Sequence, residues 1–458
     1  MPETSHPLSP FDVNRWFPSD YHRGPNIVVW IGLLSTFIAV FVKLWTPTSI
    51  NRIPEALYIL PFFYALVVNF NWLRRDRIIQ LFGLAIILPI VFFGINYLRD
   101  PVTALEYQSL DKLAKLFFFV PIAWWLGGNT RTIGWFLTIA FAGLVTASLL
   151  DPNLSSTLRA LINGQRVDFN ILNAQHVGLY YSLALIGLLS YLPIWIKKPY
   201  TKTNATRAVL AIAALGLCIL VIIGTQTRAA WLALVLCAGI WVLSTAYRIL
   251  KASKAIQLIA PLLILTVLTT LFGIAFKEPI ANRVSTENTT LTAIIEGDWH
   301  NIPYTSIGIR INTWIEAIPW MGERPIIGWG GDVREAIIDS SSRLPGSIKQ
   351  QFGHFHNSYI EFTLAYGLIG LIVLLALLFT LIQQTSGREQ LNPGTQKIDL
   401  NKFSLYSIIL LAIMNLFESY LFFWSGVYVV SIIFAPMYSQ QLASSLYTAI
   451  QGKYELSS

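Results

Sequence analysis

The chain is poor in charge, in cysteine and in histidine, and each shortage excludes a class of protein. Only 12% of its 458 residues are charged, while 54% are hydrophobic, about half the charged fraction of an ordinary soluble domain. A soluble helical protein would need polar outer faces that these segments mostly lack. The two cysteines, Cys218 and Cys237, fall inside apolar runs and read as small buried hydrophobes, not as a disulfide framework or a metal cluster. The six histidines form no HExxH pattern, and the chain has neither a P-loop nor a dinucleotide glycine motif after a strand. Zinc, ATP-driven and redox chemistry are therefore unsupported, and no cofactor or metal is expected.

What is abundant is long apolar sequence. Runs of roughly 17 to 25 residues recur along the chain, each long enough to cross a hydrocarbon core of about 30 Å as a helix. The candidate spans are 26–44, 54–72, 77–97, 110–127, 131–150, 171–193, 206–224, 229–247, 255–276, 356–383, 403–418 and 421–439. The expected fold is an all-α integral membrane protein of about twelve transmembrane helices, one polytopic domain over residues 1–458. The first 24 residues hold no apolar run and read as a short tail, not a cleaved signal peptide.

The net charge of +8 points to orientation, not to nucleic acid, because the basic residues sit mainly in short connections between spans. With a cytoplasmic N-terminus that side receives 17 Lys and Arg, among them Arg74, Arg75 and Arg77, and the short connections of the other side receive 8. This bias predicts both termini in the cytoplasm and the long polar interval 277–355, between the ninth and tenth spans, outside or in the periplasm. A second polar interval, 151–170, is followed by Asn173, Gln175 and His176 on the same side. It reads either as a solvated linker or as a wall of a substrate cleft.

Most residues capable of water-facing chemistry lie in or beside the long interval. His354 and His356 are two residues apart, so an extended segment would put both rings on one face. A neutral imidazole there is suited to accept a hydroxyl proton at physiological pH, and ordinary interfacial histidines are the plain alternative. Asn357 stands at a predicted helix start, where it could cap the helix and fix His356. Arg228 and Arg310 lie near predicted membrane boundaries on the outer side; a cation close to the apolar layer needs a partner, and two guanidinium forks match a diphosphate.

Ile311, Trp314, Ile315 and Ile318 have the spacing of an amphipathic helix at the membrane surface. The following GERPIIGWGGD, 322–332, reads as a tight turn segment, in which Trp329 is either an interfacial anchor or a sugar-stacking platform. Glu323, Asp332 and Glu335 are the acids within reach of this region, each able to orient a histidine, bind a sugar hydroxyl or pair with a loop arginine.

TQTRAAWLALVL around Arg228, GIRINTWIEAIPWMGERPIIGWG around Arg310 and HFHNSYIEFTLAYGLIG around His356, in that order and with a large outer loop, resemble the O-antigen ligase and polymerase superfamily of bacterial envelope glycosyltransferases. The resemblance implies a GT-C-like, metal-independent, inverting transferase of the bacterial inner membrane. It would move a glycan from undecaprenyl diphosphate to a hydroxyl of lipid A-core on the periplasmic face. By this likeness Arg228 and Arg310 hold the donor diphosphate, and His356, followed some ten residues later by Gly367, activates the acceptor hydroxyl. His354 is given an auxiliary role, and membrane lipids are the further partners. In one departure, TRAA stands where many members read Ser-Arg-Gly. A polysaccharide polymerase and a protein-directed oligosaccharyltransferase would use much the same residues. A lipid-linked glycan transporter is the non-enzymatic rival.

Overall fold

A computed structural model describes residues 25–195, 202–251, 287–386 and 400–455, together with the single positions 266, 270 and 285. The ninth expected span, 255–276, and the N-terminal tail lie outside the described residues apart from those positions. All regular structure among the described residues is helical. Among the described residues five helices are long and apolar enough to cross a membrane: Arg77–Arg99, Thr130–Leu149, Thr203–Thr225, Arg228–Lys251 and Ser358–Gln383. Asn26–Val42 and Leu400–Met414 are shorter and apolar.

The polarity of this bundle is that of a membrane protein. Aromatic side chains fill its centre, where Phe119, Trp124, Trp125, Phe136 and Tyr181 are fully buried, while Leu34, Ile38, Ile87, Ile90 and Val91 point outward. Outward aliphatic side chains are stable when lipid, not water, surrounds them. At one end of the bundle Asp76 caps the Arg77–Arg99 helix through the amides of Ile78 (2.8 Å) and Ile79 (3.2 Å). The same carboxylate accepts hydrogen bonds from Tyr438 and Gln441 of the Trp424–Glu455 helix, tying the two segments together.

The fourth expected span, 110–127, is corrected. It is not one helix but two short pieces, Lys112–Lys115 and Phe119–Leu126, joined by a turn. At the polar start Lys112 donates to the carbonyl of Gly331 (2.8 Å) and to the carboxylate of Asp332. The second piece is buried from Phe119 through Leu126.

The long polar interval is also largely helical. After a helical stretch at 287–295 come Ser306–Glu323, Val333–Ser340 and Gly346–Gln351. Thr305 caps the first of these through the Gly308 amide. Ile337, Ile338, Leu344, Ile348 and Phe355 build a small core of their own against Ala317 and Leu364.

This outer layer is fastened to the bundle at a break in the Ser358–Ser386 helix. Gly367 has φ +60° and ψ −162° inside that helix, which interrupts the normal ladder. The 325–330 turn supplies the missing partners: Trp329 and Gly330 donate to the carbonyls of Leu364 (2.8 Å) and Ala365 (3.1 Å), and Leu368 and Ile369 donate to Pro325 (2.8 Å) and Ile326 (3.2 Å). A Cβ on Gly367 would stand 2.3 Å from the Ile326 backbone, so only glycine permits both the conformation and the approach. Gly367→Ala is therefore expected to cost on the order of 2 kcal/mol or more and to lower the thermal midpoint of the purified protein. Gly94→Ala, whose added Cβ would meet nothing within 4 Å, should leave that midpoint at or above wild type.

Candidate active site

The site lies where the outer layer meets the start of the Ser358–Ser386 helix. Asn357 caps that helix as expected, its Oδ1 accepting from the amides of Tyr359 (3.0 Å) and Ile360 (3.2 Å). The preceding residue, His356, has φ +51°, a left-handed conformation that costs a non-glycine residue about 1–2 kcal/mol. Strain of this kind persists where surrounding contacts impose it, commonly at functional positions.

The imposing contact is Glu418, from the turn after the Leu400–Met414 helix. His354 Nε2 lies 2.8 Å from Glu418 Oε1, and His356 Nδ1 lies 3.0 Å from Oε2. The two rings are 4.1 Å apart between centroids. Glu418 side-chain exposure is 2%, that of His356 8% and that of His354 20%. The Ser419 amide also donates to Glu418 Oε1 (2.9 Å). Burial pushes the Glu418 pKa up, but the hydrogen bonds and charge of the two histidines outweigh it and hold the carboxyl well below its usual range. For His356 burial dominates and lowers the imidazole below its ordinary value, despite the opposing pull of Glu418.

A second buried carboxylate braces the first. Glu361 Oε1 accepts from the Phe355 amide (2.9 Å) and from Ser419 Oγ, while Oε2 takes a hydrogen bond from Arg334 (3.2 Å). The Ser358 amide donates to the Asn415 carbonyl (2.9 Å). The 354–361 and 415–421 segments are thus interlocked on both sides of the histidines.

Arg228 and Arg310 converge on one atom. Ser306 Oγ lies 3.4 Å from Arg228 Nη2 and 3.0 Å from Arg310 Nη1, which also donates to the Ser306 carbonyl (2.7 Å). Buried Glu287 stands 3.9 Å from Arg228 and uses its other oxygen to accept from Thr305 and the Ile307 amide. Burial, reinforced by Arg228, lowers the Arg310 pKa, and Glu418 and Glu287 act in the opposite sense. Arg310 in turn disfavours the charged form of His356. Arg310 thus links the arginine pair to the histidine cluster electrostatically.

Two sequence expectations change. Trp329 is only 8% exposed; its indole donates to the Trp320 carbonyl (2.8 Å) and the Arg324 guanidinium lies 3.7 Å from its ring centroid. With that face covered by Arg324, it packs the turn segment together. Among the loop acids, Asp332 pairs with Lys112, and the carboxylates that do meet the histidine segment are Glu361 and Glu418. Their signal in the sequence was faint: an acid in the first turn of a span, and one at the end of another.

The smaller polar interval borders the site. His176 makes edge contacts with Tyr420 and Phe423 at 4.9 and 5.8 Å between centroids. Arg166 donates to the Thr225 carbonyl (3.1 Å), three residues before Arg228. One nitrogen each of His354 and His356 and one carboxylate oxygen of Glu418 fall within 4.8 Å of one another. The atoms involved in the two histidine contacts already hydrogen-bond across the cluster, and the donor set by itself selects no metal.

The helices and this polar end define a multi-span membrane protein with a buried histidine–carboxylate cluster and an arginine pair at one end of the bundle. Residues 213–375 match the family model described as O-Antigen ligase, a segment that includes Arg228, Arg310, His354, His356 and Gly367 but not Glu418. A protein of Haemophilus influenzae described as uncharacterized is 27% identical over 201 residues, 43% of this chain and 47% of that protein. The chain thus spans about half the length of this curated relative.

Arg334→Ala is expected to leave Glu361 buried without its counter-charge, at a cost of about 3–5 kcal/mol. Thermal unfolding should register the loss, and Arg334→Met with Glu361→Gln should recover part of it by removing both charges.

Proposed function

We propose that the protein is a glycosyltransferase of the O-antigen ligase type, acting on a polyprenyl diphosphate-linked glycan at the periplasmic face of the inner membrane. The observation that carries this reading is the meeting of Arg228 and Arg310 on Ser306 Oγ, electrostatically coupled to a histidine whose Nδ1 is committed to a carboxylate. Residues 213–375 support the same class through their match. The donor is undecaprenyl diphosphate-linked glycan, and the acceptor is lipid A-core.

In this mechanism the donor diphosphate takes the place of Ser306 Oγ between the two guanidinium groups. Glu418, having no proton of its own, accepts the Nδ1–H of His356, which leaves the Nε2 lone pair to act as base. As the acceptor oxygen attacks the anomeric carbon, its proton passes to His356 Nε2. The bond between that carbon and the diphosphate oxygen breaks, and the electron pair leaves with undecaprenyl diphosphate. Arg228 and Arg310 stabilise the charge that develops there. Attack opposite the leaving group inverts the anomeric configuration. The imidazolium returns its proton to solvent. No step requires a metal or cofactor.

The reading is tested with purified protein in liposomes containing the lipid-linked glycan and lipid A-core. Wild type should make glycosylated lipid A-core with chelator present or absent. His356→Ala should reduce turnover by about 10²-fold or more. Arg228→Ala or Arg310→Ala should weaken use of the donor by roughly 10- to 100-fold, as expected for loss of a charged hydrogen bond. Longer lipid-linked glycan in place of the lipid A-core product would make the protein a polymerase, and no transfer to either acceptor would overturn the reading. Because His356 must be neutral to act, the rate should rise with pH through its pKa. Burial depresses the His356 pKa, so the acid limb should lie below the ordinary imidazole value of 6.5.

A further inference from the structure

The histidine pair shares a carboxylate that lies beyond the segment matching the family model. We infer that Glu418 is a positioning residue of the transfer reaction: it holds His356 in the tautomer with Nε2 unprotonated and stabilises the imidazolium formed when the acceptor proton arrives. This rests on the transferase reading above.

Three observations carry it. First, Glu418 meets His356 through Nδ1 at 3.0 Å, while no hydrogen bond reaches Nε2 from among the described residues. An ionised carboxylate offers only acceptors, so the ring nitrogen facing it must carry the proton. The remaining nitrogen then has a free lone pair. Second, Glu418 does not rotate freely to choose its partner. His354 Nε2 engages Oε1 at 2.8 Å, the Ser419 amide engages the same oxygen at 2.9 Å, and the turn carrying both residues is locked to Glu361 and Ser358. Third, the backbone of His356 is held in the left-handed region, which a single fixed side-chain contact can enforce and a mobile loop would not retain.

His354 acquires a role from the same geometry. Its ring packs edge-on against Phe423 at 5.4 Å between centroids, and its N–H occupies the carboxylate oxygen that His356 does not use. It keeps the carboxylate oriented and does not contact the reacting atoms. The charged or titratable groups acting on this centre are His176 from the Ala174–Trp195 helix, Arg310 from Ser306–Glu323, and Tyr420 beside Glu418. The Arg334–Glu361 pair closes the side toward Val333–Ser340. Of these, Glu418 alone hydrogen-bonds the base.

No proton needs to travel through Glu418. The acceptor proton binds His356 Nε2, Nδ1–H stays hydrogen-bonded to the carboxylate, and Nε2 later releases the proton to solvent. Loss of the negative charge should therefore do two things at once: weaken His356 as a base and move its titration to lower pH, because Glu418 favours the charged imidazole.

The experiment compares wild type, Glu418→Gln and His354→Gln as full-length protein in liposomes, following transfer across pH and donor binding separately. Glu418→Gln should bind donor like wild type, lose about 10²-fold or more in turnover, and show an acid limb displaced to lower pH. His354→Gln, which retains a donor for Oε1, should lose much less and keep the limb near its wild-type position. Nitrogen-15 spectra of histidine-labelled protein in detergent, with His356→Ala for assignment, read the tautomer without any need for activity. Wild type should show a protonated Nδ1 and an unprotonated Nε2 at His356, and Glu418→Gln a mixture. An unchanged tautomer, or a turnover loss with the acid limb unmoved, would overturn the positioning role. Absence of transfer by wild type together with the expected spectra would instead overturn the transferase reading.

Discussion

A carboxylate cannot be taken out of water without partners, and the polar end of this molecule is organised around two that have been. Glu418 and Glu361 are almost wholly buried. Removing an ion of this kind from solvent costs several kcal/mol even after relaxation, so each must collect enough hydrogen-bond donors to compensate. Glu361 gathers an arginine, a backbone amide and a serine; Glu418 gathers two imidazoles and an amide. These donors come from different parts of the chain. Satisfying the carboxylates therefore fixes the relative positions of Val333–Ser340, the 354–357 segment, the head of the Ser358–Ser386 helix and the turn near 418. The same interactions that make burial tolerable also define where a reacting hydroxyl would meet a base.

The outer layer depends on a complementary use of backbone groups. An unbroken Ser358–Ser386 helix would have closed its own ladder and presented no free carbonyls to the 325–330 turn. The left-handed step at Gly367 opens four backbone positions, and the turn occupies them. Interrupted helices are tolerated at membrane depth where protein re-satisfies the freed groups, and here the protein that does so carries the Arg310 helix immediately before it. The glycine some ten residues beyond His356 thus has a packing explanation that requires no contact with substrate.

The spans, the outer layer and the Asn357 cap were legible because each leaves a local pattern: an apolar run, a polar interval, a cap at a helix start. Arg228 and Arg310 stood out because a cation beside an apolar run is costly. Their meeting on Ser306 was not legible, since it joins residues 78 apart with no periodicity between them. Glu418 was visible only as a lone acid at the end of a span. Nothing local distinguishes it from a solvated helix end; its meaning lies in contacts with His354 and His356 across more than 60 residues. Trp329 failed in the other direction. Tryptophan between glycines at a membrane boundary has several ordinary uses, and only packing with Trp320 and Arg324 decides among them.

His356 sits between opposing fields. Glu418 favours protonation of His356, while burial and Arg310 oppose it. A histidine held only by Glu418 would be a stronger base but more often already protonated; one beside Arg310 alone would stay neutral yet resist accepting a proton. In the proposed mechanism, placing both around one ring would favour its neutral form before reaction and lower the cost of the imidazolium during it, the compromise general-base catalysis requires near neutral pH. A diphosphate bound by Arg228 and Arg310 would shift that balance further, because its negative charge offsets the arginine that disfavours the imidazolium. Donor binding would then strengthen the base at the moment a leaving group is present, linking the two halves of the site through charge alone.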